Sequence, residues 1–78
     1  MSTLSLATAM FSDPWAGLVP AHVVAFTTTR KGRRVTRYRW QRVDGQSCGG
    51  HTPAVSVDVA VRGVSWDRRF SDVRKVES

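Results

Sequence analysis

The chain has no isoleucine, only three leucines, a single cysteine and no lysine or arginine before Arg30. Each shortage excludes something. One cysteine, Cys48, rules out an internal disulfide framework. The first twenty residues carry no basic segment, and Pro14 and Pro20 interrupt their apolar stretch, so they do not read as a secretory signal. No apolar run approaches the roughly 20 residues of a membrane span. The expectation is a cytoplasmic protein with no membrane partner, or alternatively a virion-associated one. Acids are also few, and Asp44, Asp58, Asp67 and Asp72 are scattered with no pairing suited to acid–base catalysis. A chain of 78 residues makes one domain with a thin core, too small to build a deep active-site cleft as well. These shortages point away from an enzyme and from any cofactor. Homo-oligomerisation or docking on a partner would help so short a chain reach useful stability.

What is abundant is valine, twelve residues of it, and β-branched side chains favour strands over helices. Arginine is also abundant, and its placement says more than its number. Residues 30–42 hold seven of the twelve Lys and Arg and no acid, while the remaining residues sum to −1. The formal net charge of +6 is therefore a local property of one segment.

Along the chain, Leu4, Ala7 or Thr8, and Phe11 fall at helical spacing, so residues 1–20 read as a short helix or an ordered arm, with Asp13-Pro14 as a turn or cap signal. Trp15 and Leu18 read as anchors packing that arm onto a sheet. From His22 the period becomes two. Val24, Phe26 and Thr28 share one face, and after a turn at Gly32 a second strand carries Tyr38 and Trp40 alternating with Arg37 and Arg39. A three-residue loop Arg30-Lys31-Gly32 sets Phe26 opposite Thr36, Val24 opposite Tyr38 and His22 opposite Trp40. It gathers the aromatics and valine on one face and the arginines on the other; a two-residue loop mixes arginine with Phe26, so the longer loop is preferred. After a Gly-rich loop from Asp44 to about Pro53, Val55, Val57, Val59 and Val61 alternate with polar or small residues and predict a third strand. Gly63 breaks its phase as a bulge or bend would. Residues 71–78 read as a tail, with Ser71-Asp72 able to cap a last helical turn.

The expected fold class is mainly β, or α+β if the arm is helical. It comprises an N-terminal arm or short helix (1–20) packed on one face of a small three-stranded antiparallel domain (21–70), then a C-terminal tail (71–78).

The basic hairpin carries the sharpest chemical signal. Arg30, Lys31, Arg33 and Arg34 crowd its tip, and Arg37, Arg39 and Arg42 continue along one strand. Like charges at this density repel, and an anionic partner relieves the repulsion. Guanidinium groups suit phosphates and guanine edges, and a two-stranded ribbon enters a DNA major groove. The leading expectation is a small accessory DNA- or RNA-binding protein contacting phosphates through these seven residues. The alternative is a protein-interaction module of phage or mobile-element origin, a virion part or a modulator of a host protein. It would bind an acidic protein surface, with Trp15 and Leu18 as interaction residues and open sheet edges available for augmentation. Alternation places Tyr38 and Trp40 away from Arg37 and Arg39, so they read as core rather than as a stacking platform for bases. Cys48 and His51 give C-x-x-H, half of a zinc site. His22 is the only other histidine, so no metal is expected. As a nucleophile and base the same pair lacks a third orienting group, and Asp58 is expected to pair with a hairpin arginine. Gly45, Gly49 and Gly50 match no phosphate-loop pattern and read as ordinary loop glycines.

Overall fold

The computed structural model describes residues 5–48 and 50–76. Its architecture is mainly β: a four-stranded antiparallel open sheet with one short helix on one face. The elements run β1 (Ala7–Asp13), β2 (Gly17–Arg30), β3 (Arg33–Arg42), α1 (Val57–Gly63) and β4 (Phe70–Lys75), and the sheet order is β3-β2-β1-β4. Among the described residues no helix is long and apolar enough to cross a membrane.

Three elements replace what the sequence pattern predicted. Residues 7–13 form a strand rather than a helix or arm, because Ala7, Ala9 and Phe11 alternate inward. Alanine is a weak apolar marker, which hid that alternation; Leu4 lies outside the described residues. The Asp13-Pro14 signal is a turn, in which the Asp13 carboxylate accepts from the backbone N–H groups of Trp15 (2.7 Å) and Ala16 (2.9 Å). The run of alternating valines is a helix, not a third strand. Val57, Ala60, Val61 and Val64 also lie at i, i+3, i+4, i+7, and this stripe packs on the sheet while Val55 and Val59 face outward. Ser56 caps the helix, its hydroxyl accepting from the N–H of Val59. The tail reading of residues 71–78 also gives way, since Phe70–Lys75 pairs with β1 as an edge strand. Its register shifts by one residue between Thr8 and Met10, and Asp72 at φ 54° sits at this irregularity.

The core lies between α1 and the sheet. Phe70 is its centre, with ring centroids 5.1 Å from Phe11, 5.3 Å from Trp40 and 5.7 Å from His51. Trp40 is buried and donates its indole N–H to the Ala60 carbonyl at 2.9 Å, fastening β3 to the helix. Tyr38 packs against the same cluster, consistent with the core reading of both aromatics. Trp15 and Leu18 are not packing anchors: Trp15 is 95% exposed on the β1–β2 turn.

Candidate nucleic-acid interface

The register of β2 and β3 decides what the basic hairpin presents. Arg30 pairs with Arg33, so the loop is two residues, Lys31-Gly32, not three. Both loop residues have positive φ, 52° and 77°, the signature of a type I′ turn, whose twist matches that of the flanking strands. Phe26 therefore faces Arg37, Val24 faces Arg39 and Val23 faces Trp40. One face holds Val23, Tyr38 and Trp40, which pack in the core, with Ala25 exposed beyond them; the other holds Val24 and Phe26 together with Arg37 and Arg39. Mixing arginine with Phe26 buries no charge here, because the helix and the main core cluster lie on the opposite face, and of the described residues on this one only Val24 and His22 are buried. The arginines stay wet, and the Arg39 guanidinium rests 4.8 Å from the Phe26 ring centroid, a cation–π contact.

The strand lengths make the hairpin protrude. Among the described residues β1 pairs with β2 only as far as Val23, and residues 24–30 pair with β3 alone. On the far edge of β3, the described partners are Ala54 opposite Tyr38 and Ser47 opposite Gln41. Beyond them β2 and β3 form a two-stranded ribbon reaching about 20 Å past the sheet body.

Lysine at a positive-φ turn position is a costly choice. A side chain in the left-handed region costs roughly 1 kcal/mol, and Asn or Gly is favoured there. Lys31→Asn should raise the melting temperature by about 4 °C while removing a cation from the tip. Differential scanning calorimetry checks the first effect.

The acids do not reach this ribbon. Asp13 and Asp44 both bind Arg42, at 3.1 and 2.7 Å. Asp58 pairs with Lys75 at 2.8 Å, not with a hairpin arginine. Asp67 takes Arg69 and His51, and Asp72 takes Arg74. All five described acids are thus engaged elsewhere. Arg30, Lys31, Arg33, Arg34, Arg37 and Arg39 have no carboxylate partner among the described residues. Arg37 donates to the backbone carbonyl of Thr36 at 3.0 Å.

Arg42 separates from this set. Its side chain is largely buried on the helix side, and it links the β1–β2 turn to the loop after β3. The carboxyl of Asp13 is held below its ordinary range by the Trp15 and Ala16 N–H groups first and by Arg42 as well. Arg42→Gln should lower thermal stability and leave the salt dependence of any anion binding unchanged. A melt combined with a binding titration separates the two effects.

Cys48 and His51 differ in their surroundings. Cys48 is buried, and desolvation pushes its thiol up to about 11, so it is a poor nucleophile at neutral pH. His51 does have an orienting acid, Asp67, with Nε2 to Oδ2 at 3.0 Å. The carboxyl of Asp67 lies well below its ordinary range, chiefly through the Arg69 side chain. No three His, Cys, Asp or Glu side chains come together in a metal-holding group among the described residues. Native Cys48 should resist iodoacetamide at neutral pH and react fully in denaturant, as mass spectrometry would show. Gly45 and Gly50 adopt positive φ in this loop, and Gly49 lies outside the described residues.

Sequence reasoning missed the role of Phe26, which forms the apolar floor of the charged face with Val35. With Thr28, Arg30, Arg37, Thr52 and Pro53 they line a shallow groove of about 300 Å³. The signal was present in the Lys-Gly pair, since a two-residue loop alone fixes this placement. Searches with family models, curated proteins and solved structures found nothing that matches this chain.

Proposed function

We propose that this protein binds nucleic acid, using its protruding basic ribbon to contact phosphates through Arg30, Lys31, Arg33, Arg34, Arg37 and Arg39. The observation that carries this reading is the segregation of charge. Five cations stand on the ribbon beyond the sheet body and Arg39 stands at its base, while the five described acids neutralise other residues. Arg30 and Arg33 are directly opposite on one face, where like charges destabilise the pair, and an anion between them removes that penalty. Five of the six cations are arginine, whose planar fork suits phosphate oxygens.

The test is a fluorescence-anisotropy titration of labelled duplex DNA and of structured RNA at several salt concentrations. With four to six phosphates neutralised, the logarithmic salt slope should be about −4 to −5. No binding to either polymer at low salt would refute the reading.

A second reading rests on a different surface. Trp15 is 95% and Leu18 64% exposed on and beside the β1–β2 turn, at the end of β2 remote from the ribbon tip. Large apolar side chains placed so openly suit a protein partner. In that case the basic ribbon would meet an acidic protein surface. Recovery of one stoichiometric protein after nuclease treatment, lost on substituting Trp15 and Leu18 but not Arg33 and Arg34, would favour it.

A further inference from the structure

We infer that the ribbon's ligand is the major groove of B-form DNA, entered by the face that carries Arg30, Arg33, Arg37 and Arg39; this rests on the nucleic-acid reading above. Three geometric facts lead there. The first is shape. Beyond Tyr38 the hairpin is two strands wide, with no third strand beside it among the described residues. A two-stranded ribbon fits the B-DNA major groove, about 12 Å wide, but not the minor groove of about 6 Å. The major groove of A-form RNA is too deep and narrow for side chains to read.

The second is side-chain arrangement. In the type I′ register, Arg30, Arg33, Arg37 and Arg39 all lie on the outer face with Thr28 and Val35, whereas Arg34 projects from the other face. Alternate residues of a strand lie about 6.8 Å apart, twice the 3.4 Å spacing of successive bases. Arg37 and Arg39 therefore meet positions about two base pairs apart. Guanidinium groups at such an interval match the O6 and N7 acceptors of guanine, and Val35 suits a thymine methyl. Arg30, Lys31, Arg33 and Arg34, at the tip, would meet phosphates along the groove wall.

The third is the state of the aromatic rings. Single-strand recognition stacks bases on open ring faces. Trp40 is buried and Tyr38 packs in the core cluster. Phe26, on the charged face, is already covered by Arg39 at 4.8 Å. The ribbon offers hydrogen-bond donors to base edges rather than a platform for unstacked bases.

The test compares three probes against the full chain by anisotropy at one moderate salt concentration. The first is a short mixed-sequence DNA duplex. The second has every cytosine replaced by glucosylated 5-hydroxymethylcytosine, which fills the major groove and leaves the phosphates in place. The third is the unmodified duplex saturated with netropsin in its minor groove. Glucosylation should weaken binding at least tenfold, and netropsin should change it less than glucosylation does. A smaller loss on glucosylation, or a greater loss with netropsin, would overturn the groove assignment while leaving phosphate binding by the ribbon intact. Tighter binding to the matching single strand than to the duplex would also overturn it. If none of the probes binds, the nucleic-acid reading itself fails.

Discussion

Replacing Arg30, Lys31, Arg33 and Arg34 with glutamine should weaken duplex binding by about three orders of magnitude at roughly physiological salt. Each phosphate contact releases close to one condensed counterion, so each cation is worth roughly a fivefold factor in affinity at that ionic strength. Four such factors multiply to the expected loss, and the logarithmic salt slope should become shallower by about 4. Glutamine retains much of the side-chain stem, so the ribbon keeps its packing. The melting temperature should stay level or rise, because the Arg30–Arg33 pair and the crowded tip no longer repel. An affinity loss with no fall in stability distinguishes removal of an interface from simple unfolding. The same comparison with Arg42 included should add instability without adding to the slope change, since Arg42 is committed to Asp13 and Asp44.

The second large effect concerns the core. Phe70→Ala should cost about 3–5 kcal/mol, the usual penalty for emptying a buried aromatic site. The ring touches Phe11 and Trp40 within the core and His51 at its margin, and it begins the edge strand β4. Neighbours cannot readily collapse into the space: Ala7, Ala9, Ala21, Ala54 and Ala60 are short, and the sheet backbone is fixed by its ladders. For a chain of this length the loss lowers the melting temperature by at least about 15 °C and removes most of the net stability. Near-ultraviolet circular dichroism follows this directly, because Trp40 loses its packed surroundings. A midpoint within a few degrees of wild type would show that the core does not depend on Phe70.

Parts of this fold are legible in the residues alone, for identifiable reasons. The β2–β3 hairpin announces itself through alternation on both sides of a glycine, and the charge segregation needs no structure to be seen. The register is harder. A loop one residue shorter moves every side chain of β3 relative to β2, and the choice turned on which face is core. The answer depends on α1, whose sequence carries two periods at once. Val55, Val57, Val59 and Val61 satisfy a strand, while Val57, Ala60, Val61 and Val64 satisfy a helix. Ser56 as a cap and Asp58 in the first turn favour the helix, but the valine-rich composition points the other way. β1 was hidden because its inward positions are two alanines and one phenylalanine. β4 was hidden because only Phe70 and Val73 are apolar within a charged stretch. The ion pairs that divide Arg42 from the other hairpin cations link positions far apart in sequence, such as Asp13 and Arg42, and no local pattern encodes them.

The ribbon as the binding surface is tested most directly by following backbone amide shifts in a proton–nitrogen correlation spectrum while a short DNA duplex is added. The largest changes should fall on residues 28–39, with Lys31, Gly32, Arg33 and Arg37 foremost, and little movement at Asp13–Leu18 or along α1. Changes concentrated at Trp15 and Leu18, or no changes at duplex concentrations well above the protein, would contradict the assignment of this ribbon to nucleic acid.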